Sequence, residues 1–158
     1  MNNIKIIPVG KIKNENEDFA IKLDEKYTTA LKGLENYSHI QIIWWMDGCD
    51  NERDRAMLIQ KKPYKNGPDE IGIFALRSLE RPNPIGVSNA QITYIDNIYG
   101  IIGLTYVDAN DGSAVLDIKP YTPSIYRVEN PITPDWCSHW PKSFEESGAF
   151  DWAKEFNF

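Results

Sequence analysis

The sequence predicts a mainly β fold: a single antiparallel or mixed β-barrel with short connecting helices and an aromatic-rich C-terminal tail. Three observations predict it. Short apolar segments recur along the chain, each bounded by Gly, Asn, Asp or Pro. They do not alternate regularly with helical patterns, as a doubly wound parallel sheet requires. The chain has 158 residues, the size of one ordinary domain, enough to bury one core without disulfides or a structural metal.

Each element follows from a local pattern. Residues 4–9 are rich in Ile and Val, residues 19–23 alternate apolar with polar, and residues 40–46 are nearly all apolar and aromatic, as in a fully buried strand. Further strands are expected over residues 71–75, 87–95, 99–107 and 114–118. Asp24 is expected to cap a short helix through Leu31 that ends at Gly33, and Asp50 to begin another through Leu58. No repeat, low-complexity run or linker divides residues 1–130, which are expected to form the barrel. Residues 131–158 differ, with Trp136, Trp140, Phe144, Phe150, Trp152, Phe156 and Phe158 set among acidic residues. Rings so spaced need a surface, so the tail is expected to pack on the barrel or on a dimer partner.

Composition narrows function. Hydrophobic residues make up 42% and charged residues 25%, as in globular proteins and unlike disordered or membrane chains. Residues 1–5 lead into no long apolar run, which predicts neither signal peptide nor membrane anchor and a cytoplasmic location. The net charge of −6 opposes the basic balance of most nucleic-acid binders. Any such surface would have to be local, at Lys61, Lys62 and Lys65 or at Arg77 and Arg81. Cys49 and Cys137 form no C-x-x-C pair and are expected to be free thiols. With only His39 and His139 available, a three-histidine metal site is impossible, and no metal is expected.

Phosphate-loop, G-x-G-x-x-G and G-x-S-x-G motifs are absent. Two other stretches stand out. In residues 72–88 an apolar strand runs into a loop carrying Arg77, Arg81, Pro82 and Pro84 before a second apolar strand. Prolines fix φ and reduce the entropy lost on ordering, so the loop should be rigid. Its guanidinium forks suit a carboxylate or phosphate, or equally a structural carboxylate of the chain itself. In residues 107–121, Asp111-Gly112 between strands is a strong hairpin signal. Around it Asp108, Asn110, Asp111, Asp117, Lys119 and Tyr121 offer acceptors for hydroxyls or an amino group and donors for an acidic substrate. Like charges this close are unfavourable unless a ligand or the arginines compensate.

At these residues the chain resembles the TrmO/TsaA-like family. The resemblance rests on Phe74-Ala75-Leu76-Arg77-Ser78, Arg81-Pro82-Asn83-Pro84-Ile85-Gly86, Asp111-Gly112 and Asp117-Ile118-Lys119-Pro120-Tyr121, preceded by Gly33-Leu34-Glu35-Asn36-Tyr37-Ser38-His39-Ile40. It implies a β-barrel methyltransferase that uses S-adenosylmethionine, forms a homodimer with the cofactor near the subunit interface, and methylates N6 of threonylcarbamoyladenosine beside certain tRNA anticodons. It also implies cofactor contacts at Asp47, Gly48, Arg77, Val87, Asp108, Ala109, Asn110 and Asp111.

Methyl transfer from a sulfonium is an in-line displacement that needs alignment in a dry site and no metal. The acceptor nitrogen must lose a proton, for which Asp117 and Tyr121 are the candidate catalytic residues. Arg81 and Lys119 are the candidates for holding an acidic substituent of the substrate. Equally, Asp117 and Lys119 simply pair with each other. Leu76 stands where the family often has threonine, Asp47-Gly48 where a pair usually begins with histidine, and the Pro-Arg-Gln stretch has no match around Lys22-Leu23-Asp24. The separate C-terminal domain of longer members is replaced by the aromatic tail. A methyltransferase acting on a small molecule, and a binding module that senses S-adenosylmethionine without catalysis, are the alternatives.

Overall fold

A computed structural model describes residues 4–16 and 18–157. Residues 1–3, at the start of the segment read for a leader, and the tail's Phe158 lie outside them. Among the described residues there are eight strands: β1 (Gly10–Glu15), β2 (Asp18–Leu23), β3 (His39–Trp45), β4 (Ile59–Lys61), β5 (Glu70–Gly72), β6 (Ile85–Asp96), β7 (Ile101–Leu104) and β8 (Ala114–Pro120). Six close into a barrel in the order β1-β2-β7-β6-β3-β8, every pairing antiparallel, and β4 and β5 form a separate ribbon.

Alternation makes the barrel. Along β3, Ile40, Ile42 and Trp44 point into the core while His39, Gln41, Ile43 and Trp45 face outward. With Ile12, Ile21, Ile102, Leu104 and Val115 they form a mainly aliphatic interior. The wall is strongest at β3–β6, which pair over seven residues from His39↔Gln91 to Trp45↔Ile85. It is thinnest at β1–β8, with only Gly10↔Val115 and Lys11↔Ala114. Trp44 lies across Gly86, where an added Cβ would come within 2.2 Å of the indole Cε2, so glycine is required by close approach.

Several local expectations need correction. Residues 4–9 form no strand; the first begins at Gly10, and Ile4, Ile6 and Ile7 are exposed. Residues 71–75 divide into the end of β5 and a 3₁₀ turn, Ile73–Ala75. The helix after Asp24 is a 3₁₀ segment, Glu25–Leu31, and the Asp24 side chain does not cap it. The next helix, α1 (Glu52–Arg55), is capped by Asn51, whose side chain accepts from Asp54 N at 3.0 Å. Asp50 instead accepts from Arg55 Nε at 2.6 Å and Trp45 Nε1 at 3.0 Å.

Two further one-turn helices, α2 (Pro123–Tyr126) and α3 (Phe144–Ser147), follow the barrel. The tail lies on the β4–β5 ribbon of its own chain. Tyr64 contacts Trp136, Trp140 and Phe156 with ring centroids 5.0, 5.2 and 5.5 Å apart. Beneath them Ile71, Ile73 and Leu76 form a second buried cluster. Glu155, buried at the centre, accepts from His139 Nε2 at 2.9 Å and Trp140 Nε1 at 3.1 Å. Those two donors hold its carboxyl below the usual carboxylate range. Cys49 and Cys137 are free.

Candidate functional site

The loop from Leu76 to Ile85 joins the two regions. Leu76 is anchored in the ribbon cluster, and Ile85 begins a barrel strand. Between them Arg77 Nη2 donates to Val87 O at 2.8 Å, so two predicted cofactor contacts meet directly. They can meet because β6 pairs with β7 only from Ile92 onward, leaving the outer edge of its first half open. Arg81 turns the other way: its Nη2 donates to the carbonyls of Ile73 at 3.3 Å and Leu76 at 3.5 Å. That contact braces the 3₁₀ turn before Arg77. Among the described residues neither arginine forms an ion pair, so the chain supplies no carboxylate partner for them.

Asp47 and Gly48 begin a 3₁₀ turn, Asp47–Cys49, immediately past β3, and both are exposed. This end is held by a network the sequence did not announce. Asp50 links Trp45 to Arg55, and Arg55 Nη1 donates to Pro82 O at 2.7 Å while its guanidinium lies 5.5 Å from the Trp45 ring. Its only sequence signal was a charged pair within a predicted helix. The network ties the end of β3 to the arginine loop. Burial, then the charges of Asp54 and Glu80, push the Cys49 thiol up, so it is no thiolate nucleophile at neutral pH.

The turn carrying Asp108, Ala109, Asn110 and Asp111 lies on the other flank, between β7 and β8. Gly112 takes φ +80°, as the Asp111-Gly112 pair predicts, but the turn is pinned to β1 and makes no tight hairpin. Asn14 N donates to Asp111 Oδ1 at 3.0 Å, Asn14 Nδ2 to Ala109 O at 3.3 Å, and Gly112 N to Ile12 O at 2.9 Å. Asn14 holds this turn, a role that sequence reading missed because it sits in a polar strand with no motif. The Tyr106 phenol is pushed up by burial and then by the neighbouring charge of Asp108. Apart from buried Ala109, the turn's predicted contacts are exposed. β8 starts beside the end of β3, so this turn, Asp47-Gly48 and the Arg77–Val87 pair share one end of the barrel, on opposite flanks of β3 and β8.

Asp117 and Lys119 lie on the outer face of β8, in register with Ile43 and Gln41 of β3, which pair in turn with Val87 and Asn89 of β6. Lys119 Nζ donates to Asp117 Oδ2 at 2.6 Å along the same strand, and that hydrogen bond pushes its pKa up. Both are half exposed, and such surface pairs contribute little stability. Tyr121 stacks on Tyr126 at 5.4 Å and meets His39 edge-on at 6.4 Å. Lys62 and Lys65 are committed to the fold: Lys62 Nζ donates to Gly67 O at 3.0 Å and Lys65 Nζ to Ala153 O at 2.8 Å. Of that cluster Lys61 is left to face a partner. Among the described residues no His, Cys, Asp and Glu are grouped to hold a metal, and no helix is long and apolar enough to cross a membrane.

The profile of the tRNA-methyltransferase O N-terminal domain family matches residues 2–126. An S-adenosyl-L-methionine-binding protein of Archaeoglobus fulgidus is 34% identical over 105 residues, covering 66% of this chain and 70% of that protein. A tRNA (adenine(37)-N6)-methyltransferase of Escherichia coli is 32% identical over 118 residues, covering 72% of this chain and 48% of the enzyme. A crystal structure of TrmO from Pseudomonas aeruginosa superposes with a TM-score of 0.62 at 24% identity, covering 82% of this chain and 61% of that one. The last likeness concerns the fold. The chain spans about half the length of the Escherichia coli enzyme it matches.

Proposed function

The chain belongs to the tRNA-methyltransferase O N-terminal domain family, and on that premise we propose that it binds S-adenosylmethionine and transfers its methyl group to N6 of threonylcarbamoyladenosine in tRNA. The observation that carries this reading is the Arg77–Val87 contact on the open edge of β6, at the barrel end shared by Asp47-Gly48 and the 108–111 turn. The donor set suits the cofactor. Arg77 offers N–H groups to a carboxylate, while Asp108, Asn110 and Asp111 offer acceptors to an amino group and ribose hydroxyls. Ile43 and Val87 supply an apolar strip between the flanks. When bound, the cofactor supplies an electrophilic methyl on a sulfonium.

The chain's own residues orient the acceptor and take its proton. Asp117, whose Oδ2 already accepts from Lys119, is the carboxylate best placed on the outer face to receive that proton, with Tyr121 further along β8. In this reading Lys119 holds the acidic substituent, exchanging Asp117 for it. Arg81 serves through the turn it braces. The sites on both flanks are open to solvent in one chain, and methyl transfer needs a dry site. A second copy covering this end supplies that exclusion, so the proposal includes a homodimer with the cofactor near its interface. It further takes residues 1–130 as the cofactor-binding unit, residues 131–158 as a brace, and the cytoplasm as the location.

Net charge of −6 and the commitment of Lys62 and Lys65 to the fold favour a second reading, a small-molecule acceptor. Calorimetric titration with S-adenosylmethionine and S-adenosylhomocysteine tests the cofactor. Saturable binding that Arg77→Ala weakens is expected, and absence of binding overturns the proposal. Mass analysis of nucleosides from tRNA incubated with protein and cofactor then separates the readings. A methylated threonylcarbamoyladenosine supports tRNA; an unmodified digest, with the cofactor still bound, favours the small acceptor.

A further inference from the structure

Where β1 leaves β8 the barrel wall opens. After its two-residue pairing with β1, extended by a bond from Val9 N to Val115 O, β8 continues to Pro120 without a neighbour on that edge. Facing the free edge are the 3₁₀ segment Glu25–Leu31 and the loop after it, across a groove of about 450 Å³, within the ~300–1,000 Å³ range of small-ligand sites. None of the predicted cofactor contacts lines it, and only Asp117 is shared with the candidate site.

The two walls differ in chemistry. One is apolar and aromatic, formed by Leu23, Tyr27, Leu31, Leu34 and Tyr37. The other is the strand edge. Tyr121 N donates to His39 O, so the alternation of an antiparallel ladder turns the carbonyls of Ile118 and Pro120 away from β3, toward the groove. The Asp117 carboxylate lines the same wall, its Oδ1 accepting from Ile118 N at 2.9 Å, which removes that edge donor. The polar wall is therefore rich in acceptors. An anion finds a donor only at Lys32 of the opposite loop or at Lys119, which Asp117 already engages, and an aliphatic ligand leaves the acceptors unpaired. A flat ring with N–H groups along one edge satisfies both walls.

We propose that this groove binds the nucleobase of the acceptor nucleotide, its ring against Tyr27 and Tyr37 and its N–H edge toward Asp117 and the Ile118 carbonyl. The inference rests on the methyltransferase reading for the identity of the acceptor, though not for the groove itself. At ~3.3 Å per residue, Asp117 stands about 10 Å along β8 from Ala114, where the 108–111 turn ends. It is the one side chain of the candidate site that reaches the groove.

Adenosine 5′-monophosphate, added at millimolar concentration to the isotopically labelled full chain, is the probe. The backbone amide signals of Leu31, Leu34, Tyr37, Ile118 and Lys119 are expected to shift, and those of Asn110, Asp111 and Gly112 to stay. Ala30→Trp, which fills the groove, should abolish the shifts. Tyr37 is 41% exposed, so Tyr37→Ala should fold, and it should weaken binding about tenfold by loss of stacking. S-adenosylhomocysteine affinity should be unchanged in both variants. Shifts that are absent, that map elsewhere, or that persist undiminished in the folded variants overturn the proposal. If the nucleotide maps to the groove while S-adenosylhomocysteine fails to bind, the groove stands and the methyltransferase reading falls.

Discussion

The barrel and the tail-covered ribbon solve the same problem with different materials. In the barrel, fully buried Ile12, Ile21, Ile40, Ile42 and Ile102 interdigitate behind a closed ladder, so each side chain's place is fixed by strand register. In the ribbon layer the ladder has three pairs, one isolated bridge, Tyr64↔Phe156, joins the tail to it, and most of the remaining order comes from rings. Trp140 touches Tyr64, Trp136 and Trp152 with centroids 5.2, 5.4 and 5.3 Å away, and its indole N–H reaches buried Glu155. Position in the first region is inherited from the backbone; in the second it depends on a few large contacts. Arg77 sits at the seam, its preceding residue in one region and its hydrogen-bond acceptor in the other.

If that contrast holds, equivalent damage has different reach. Ile42→Ala should cost about 4 kcal/mol and unfold the barrel, so that urea midpoints followed by far-ultraviolet dichroism and by tryptophan fluorescence fall together. Trp140→Ala should remove about 3 kcal/mol from the ribbon layer alone, separating the two curves while weakening cofactor binding through a loosened Leu76–Arg77 junction. Coincident curves for Trp140→Ala would show the two regions to be one cooperative unit. Gly86→Ala, which forces Trp44 to move, should cost about 2 kcal/mol and disturb Val87 from the barrel side. Reduced cofactor affinity with an intact ribbon fluorescence signal is the expected signature.

Acid should sharpen the contrast. The Glu155 carboxyl titrates lower in the folded chain than in the unfolded one, so its contribution to tail docking is complete above the unfolded carboxylate pKa and lost as pH falls through the lowered folded value. Tryptophan fluorescence should therefore report undocking on acidification, and Glu155→Gln should abolish that dependence. The smallest effect is expected at Asn14→Ala: about 1 kcal/mol and a cofactor affinity about fivefold weaker, from release of Ala109 O. A variant with full affinity would remove Asn14 as the holder of that turn.

How much of this was legible follows the same division. The apolar run at 40–46 and the long segment at 87–95 announced β3 and β6, although the run read as buried on both faces and β3 fully buries only alternate residues. Polar β1, Gly-Lys-Ile-Lys-Asn-Glu, did not, since only Ile12 and Gly10 face inward there. The 3₁₀ segment after Asp24 carries helical spacing but too few turns to be told from an α-helix. At the site, Arg77 and the Asp111-Gly112 turn stood out through residue type. Asn14 acts through a contact between distant segments, and the Asp50–Arg55–Trp45 network, local in itself, matters through its reach to Pro82, which nothing local marks. At Arg81 the charge was visible, but its hydrogen bonds to the carbonyls of Ile73 and Leu76 were not.

The two-residue joint between β1 and β8 also sets an order in time. Joining Gly10 to Val115 closes most of the chain into one loop, and that entropic loss must be met before the joint returns any favourable contact. The seven-residue β3–β6 ladder spans far less sequence for more pairs. Barrel assembly should therefore begin with the β1–β2 hairpin, six pairs close in sequence, and the β3–β6 ladder, and finish by zipping β1 against β8. Opening should run in reverse, with the amides of Val9 and Ile12, which donate to Val115 O and Ser113 O, exchanging with solvent sooner than those inside the β3–β6 ladder.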